Sequence, residues 1–330
     1  MRKLFIGILV LHLGGAWGQS PGSGLQIGRE IPEELEDFYR KGLVYLAESQ
    51  TAQGNWTDNH GQEPGVVGAV LLAFLASGED PNYGPYRVVI RRGVDFILTQ
   101  QDSRTGYIGN SMYNHGFATL ALAELYGHLQ EPDLGEPLQK AVELILESQA
   151  QNPLGAWRYT PVSKDADTTL SGAQMVALFA AKNAGYPVPD KAFERGLAFY
   201  RSMTGNDGGV GYSGGPNSGN TVRSAISSLV HSLFDDYESQ TSQRNFQYIR
   251  ESKDQTNWNY PYYQFYYLSQ ALFQGDMNEW QLWNQNTIRV FSATQTANGS
   301  WNGPQGSTFS TAAALLTMAL NYRLMPIYER

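Results

Sequence analysis

Two carboxylates stand two residues apart in Asp165-Ala166-Asp167-Thr168-Thr169, directly ahead of a run of small apolar residues. A pair so placed can do acid chemistry. If burial raises the pKa of Asp167 and Asp165 helps hold its proton, Asp167 can deliver that proton to a substrate. The same position suits a helix N-cap, which would bond a backbone N–H near Leu170 and lower the pKa. Aromatic residues gather nearby in kind if not in number: Tyr260, Tyr262, Tyr263 and Tyr266 in one stretch, Tyr113 and His115 in another. Ring faces stabilise a cation or stack on a sugar, and they also simply fill cores. Arg158 and Arg223 are candidates for an anionic group. These residues are the candidate ligand-binding set, with Asp167 and Asp165 the candidate catalytic pair. Asp58, Glu63, Asp165 and Asp167 are the acids available if two carboxylates must face each other for glycoside chemistry. Asp235-Asp236-Tyr237-Glu238 reads as solvated surface.

The composition narrows the chemistry. The chain has 330 residues and no cysteine, so disulfides, thiolate nucleophiles and Cys-ligated metal are excluded. No histidines have metal-ligand spacing, so no cofactor or metal is expected. A net charge of −8 argues against nucleic acid as a partner. Arg2 and Lys3, the apolar stretch Leu4–Leu13 and Ala16-Trp17-Gly18 read as a signal peptide over residues 1–18. A flexible lead-in follows over 19–31, then one domain over 32–330. The expected location is secreted, periplasmic or cell-envelope, with no transmembrane helix in the mature chain.

The elements that must position these residues come from an internal repeat. Glycine-linked aromatic punctuation recurs at Trp56, Tyr107, Trp157, Tyr212, Trp258 and Trp301, at gaps of 43 to 55 residues. An amphipathic helical stretch precedes each, and a stretch rich in alanine, glycine and leucine follows. Gly78, Gly127, Gly185 and Gly275 are expected as left-handed caps. Six helical hairpins without distinct capping repeats predict an all-α fold, an α6/α6 toroid or alpha-alpha barrel: six inner helices around an axis and six outer ones around them. All six punctuations then lie on one face, which also collects the N-termini of the inner helices and suits anionic groups.

Three of the punctuations, Gln50-x3-Gly54-x-Trp56, Gln151-x3-Gly155-x-Trp157 and Gln295-x3-Gly299-x-Trp301, resemble the QW repeat of squalene and oxidosqualene cyclases. The chain is thus similar to the terpenoid cyclase and protein prenyltransferase β-subunit superfamily over residues 34 to 325. The resemblance implies a toroid in which these glutamines and tryptophans brace the barrel. Asp165, Asp167 and Thr169 are similar to the first, middle and threonine positions of the DxDDTA motif, whose middle acid protonates substrate in squalene–hopene and class II diterpene cyclases. Thr168 stands where that motif has its third aspartate. The zinc site of protein prenyltransferases requires a cysteine that this chain lacks.

The function expected is a ligand-binding toroid. In the first reading it takes an apolar or isoprenoid-type small molecule in the central cavity and acts as a terpene cyclase or isomerase through Asp167. The alternatives are a non-catalytic envelope scaffold for a protein or glycan, and a carbohydrate-active α6/α6 enzyme.

Overall fold

The computed structural model describes residues 33–130, 132–255, 257 and 259–325. The leader, the lead-in and Trp258 lie outside the described residues. Among the described residues, twelve helices alternate between an outer and an inner set. The outer ones are α1 (Glu33–Ser49), α3 (Arg87–Thr99), α5 (Gly135–Gln151), α7 (Asp190–Met203), α9 (Gln240–Ser252) and α11 (Met277–Thr294). The inner ones are α2 (Pro64–Leu75), α4 (Met112–Leu125), α6 (Thr168–Asn183), α8 (Thr221–Leu233), α10 (Pro261–Gly275) and α12 (Ser307–Ala319).

Each class has the side-chain pattern its place demands. On α3 only Ile90, Gly93, Val94 and Ile97 are buried, one stripe at helical spacing. Along α2 every residue from Pro64 to Phe74 is buried, so this helix has no solvent face. Small residues allow the inner helices to touch: a side chain at Gly68 would come within 2.7 Å of the Phe117 carbonyl oxygen on α4. The inner helices pack in chain order, and α12 packs back on α2. The fold is an α/α toroid, a closed ring in which α4 stands opposite α10 and α2 opposite α8.

The punctuation loops carry a repeated lock. The indole N–H of Trp56 donates to Leu46 O at 3.0 Å, that of Trp157 to Ile145 O at 2.9 Å and that of Trp301 to Phe291 O at 2.9 Å. Each acceptor is on the outer helix just left behind. A glutamine then ties the loop to the next outer helix. Gln50 Nε2 donates to Gly54 O and Val89 O, and Gln101 Nε2 to Gly106 O and Pro137 O. Gln295 Nε2 bonds Gly299 O and, 257 residues away, Phe38 O, both at 2.9 Å. That last bond joins the two ends of the ring.

Several expectations are corrected. In the third hairpin the tie is Gln149, which bonds Gly155 O and Ala192 O, while Gln151 is exposed. Two residues, about half a helical turn, put Gln149 and Gln151 on opposite sides of α5, and the buried Gln149 amide is the one that reaches both carbonyls. In the second and fourth hairpins the residue in the tryptophan's place is Ile108 or Val210, not Tyr107 or Tyr212. Val210 N–H donates to Ser224 Oγ as Trp157 N–H does to Ser171 Oγ, and both Ile108 and Val210 are fully buried. Gly78, Gly127 and Gly185 have the left-handed φ of a cap. Gly275 does not; it is the last residue of α10, and glycine is required there because the Phe246 ring lies 2.1 Å from where a Cβ would stand.

Candidate functional site

A cup of about 620 Å³ occupies the ring axis on the face of the inner-helix N-termini. Its floor is closed across the axis: Phe117 of α4 meets Tyr266 of α10 with ring centroids 6.2 Å apart. Four of the ligand-binding candidates line it, Tyr113, Arg223, Tyr260 and Tyr263, and so does Glu63 from the candidate acids.

The others are placed elsewhere. His115 turns away from the axis toward α5. Its Nε2 bonds Ala141 O at 3.0 Å, and its Nδ1 accepts the Ile108 N–H at 3.1 Å. Burial holds its pKa down at about 4, so the ring is a neutral loop lock and not a ligand contact. Tyr262 stacks outward on Phe291 of α11. Tyr266 closes the floor with Phe117 and is not a lining residue of the cup. Asp165 is largely exposed and meets Arg158 at 3.4 Å.

Asp167 is fully buried and does not line the cup. It is the N-cap of α6: Oδ1 accepts the Leu170 N–H at 2.8 Å. The same oxygen accepts the Thr169 hydroxyl at 2.8 Å, and Oδ2 meets Arg158 Nη1 at 3.3 Å. Three donors aimed at one carboxyl group favour its ionised form. The cap geometry nevertheless comes with a raised pKa, because desolvation outweighs the pull of Leu170, Thr169 and Arg158. The expected pairing of cap with lowered pKa therefore fails on burial alone.

The direction of the hydrogen bonds above Asp167 is fixed. Thr169 spends its one hydroxyl proton on Asp167. The 2.5 Å bond between Tyr113 Oη and Thr169 Oγ1 must then be donated by Tyr113. Tyr113 consequently faces the cup as an acceptor. Burial and the Asp167 charge both push its own pKa up. Arg158 lies behind this wall, 4.9 Å from the Tyr159 ring centroid and 5.2 Å from that of Tyr212. The two hydroxyls of that pair close over it at 2.7 Å. Arg158 thus positions a rim and is matched by two carboxylates.

Sequence reasoning missed Tyr159, Tyr212, Asn220, Asn257, Gln305 and Phe309, all of which line the cup. It also missed His60 and Glu63 as a pair, bonded at 2.8 Å on the wall at α2. The available signal was position: nearly all lie between a punctuation and the second turn of the inner helix that follows. One lining group, Gln305 Oε1, is buried and makes no hydrogen bond among the described residues. Among the described residues, no cluster of three histidine, aspartate or glutamate side chains could hold a metal, and no helix is long and apolar enough to cross a membrane.

No family model matches the sequence, and no curated protein matches it. Solved structures do match its fold. A family 76 glycoside hydrolase from a bovine Bacteroides thetaiotaomicron strain is 10% identical, with TM-score 0.66 over 88% of this chain and 78% of that one. An inactive variant of an α-1,6-mannanase of Salegentibacter sp. HEL1_6, in complex with α-1,6-mannotriose, is 10% identical, with TM-score 0.63 over 87% and 99%. A type II terpene cyclase from Scytonema, in complex with geranylgeranyl dihydroxybenzoate, is 13% identical, with TM-score 0.62 over 87% and 97%. The protein is of the α/α toroid class that these glycan-binding and isoprenoid-binding proteins share.

Proposed function

We propose that the protein is an exported glycan-binding toroid that holds a short saccharide segment in its axial cup. The observation that carries the reading is the lining itself. Tyrosine rings at 113, 159, 212, 260 and 263 share the lining with the amides of Asn220, Asn257 and Gln305. Rings present faces to sugar C–H surfaces, and amides and hydroxyls satisfy sugar hydroxyls. The unpartnered Gln305 Oε1 favours a ligand that can hydrogen-bond, since a buried polar group left unpaired is costly.

Glu63 is the one carboxylate among the described lining residues, and it is bonded to His60. Glycoside hydrolysis ordinarily uses two, so the reading is one of binding. Asp167 acts in it as a positioning residue, reaching the ligand only through Thr169 and Tyr113. The isoprenoid reading is supported by the terpene cyclase fold match and by the apolar lining residues Val66, Phe117, Val222 and Phe309.

Calorimetric titration with α-1,6-mannotriose and other neutral trisaccharides, against geranylgeraniol, tests the choice. Saturable saccharide binding that weakens about fivefold in Tyr260→Ala is expected. Tyr260 is half exposed, so its loss leaves the fold intact. Binding of geranylgeraniol with no saccharide bound would replace the reading with the isoprenoid one. Mass spectrometry of the native protein with Met1 retained would remove export from it.

A further inference from the structure

The two arginines near the cup are placed in electrostatically opposite ways. Arg158 has Asp165 and Asp167 as counter-ions. Arg223 lines the cup itself, and no carboxylate pairs with it among the described residues. Its guanidinium donates from Nε to Val210 O at 2.9 Å and from Nη2 to Ser218 O. Those two carbonyls pin the loop without neutralising the charge. Among the described residues, the remaining N–H groups, on Nη1 and on the second position of Nη2, have no acceptor. Burial disfavours this cation, the cost expected when a charge is desolvated without a counter-ion.

The location adds to the imbalance. Arg223 sits in the first turn of α8, a 13-residue helix whose N-terminus already carries partial positive charge. A cation there gains nothing from the helix. The α6 N-terminus, by contrast, carries Asp167. The other charged lining group, Glu63, is bonded to His60 at α2, on the opposite side of the ring. One wall of the cup is therefore positive and unmatched inside a protein of net charge −8.

We propose that the Arg223 guanidinium forms an anion-binding wall, and that the saccharide held in the cup is acidic, its carboxylate seated on that guanidinium. This rests on the glycan reading above and names its substrate class. The planar fork of arginine matches a carboxylate, and a charge-assisted bond in a partly desolvated site is stronger than a neutral one.

The test compares uronate trisaccharides with the neutral trisaccharides of the same linkage, such as a β-1,4-glucuronate trimer and cellotriose, which differ only in the carboxylates. In the full wild-type chain the acidic member of at least one pair should bind about tenfold tighter. That advantage should shrink as salt rises from about 0.05 to 0.5 M, because the charge contact is screened and the stacking is not. Arg223→Gln should bring the two members of the pair within about twofold of each other. Arg223→Lys, which keeps the charge but loses the fork, should keep part of the preference and separates loss of charge from loss of the loop pins. Equal wild-type binding of acidic and neutral members overturns the acidic inference and leaves the glycan reading standing. Binding of neither overturns both. A preference that survives Arg223→Gln at full strength overturns the assignment to Arg223.

Discussion

The first, third and sixth hairpins close their loops with a buried tryptophan, whereas the fourth closes its loop on backbone. In the first group the indole fills the loop interior and the glutamine amide ties the loop to the next outer helix. In the fourth, Val210 takes the tryptophan's place, and Gly209 and Gly219 approach so closely that a Cβ on Gly209 would lie 3.0 Å from the other's Cα. The tie also runs the other way, with Asn245 of α9 reaching back to Gly208 O at 2.8 Å. The fourth and fifth hairpins then give the cup Tyr212, Asn220, Arg223, Asn257, Tyr260 and Tyr263, and the sixth gives it Gln305 and Phe309. Both kinds of loop supply the cup: the tryptophan-closed hairpins give it His60, Glu63, Tyr159, Gln305 and Phe309, and the backbone-closed fourth gives it Tyr212, Asn220 and Arg223. The difference between them lies in what fills the loop interior, a large ring in one and glycine backbone in the other.

The sharpest way to break this contrast is to delete the rings. Trp301→Ala should cost roughly 3–5 kcal/mol, because it empties a fully buried site at the seam where the ring closes. Val210→Ala should cost about 1–2 kcal/mol, since most of that loop interior is backbone. Urea midpoints with unchanged slopes measure both, and equal costs would erase the distinction.

Acidification probes the lock of the second hairpin. The His115 pKa in the folded chain, about 4, lies below its ordinary value of 6.5. The unfolded chain therefore binds the proton first as pH falls. Stability from this group is complete above pH 6.5 and is lost as pH drops toward 4, by roughly 3 kcal/mol. His115→Asn should start less stable at neutral pH and lack that part of the acid loss. An unaltered pH profile would mean that His115 does not lock the loop.

Gln295→Ala removes the donor to Gly299 O and Phe38 O together. About 2 kcal/mol is expected, with faster hydrogen exchange concentrated at α1 and α11. A loss spread evenly over all helices would show that the seam is not a separate unit of cooperativity.

The smallest effect belongs to Asp167→Asn, about 1 kcal/mol or less by thermal melting. Asparagine keeps the cap bond to Leu170 and removes a desolvated charge, while Arg158 retains Asp165. A large loss would mean that the Arg158 pair, not the cap, holds the wall behind Tyr113.

The six-hairpin ring was legible in the chain because helical periodicity and glycine-linked aromatic punctuation are local properties that repeat. Helix bounds follow from those patterns, and so does the burial of Trp56, Trp157 and Trp301. The cup was half legible. Tyr113, Tyr260, Tyr263 and Arg223 sit at inner-helix starts, so any closed ring brings them to one face. Which way a side chain turns from that position is set by packing between helices distant in sequence. His115 and Phe117 share the first turns of α4, yet one bonds α5 and the other meets α10 across the axis. Asp167 and Arg223 both begin inner helices, yet one is buried with a counter-ion and the other faces the cavity without one. Sequence determines the local pattern and therefore the fold; rotation of each helix about its axis, and the electrostatic partners it meets, come only from the assembled ring.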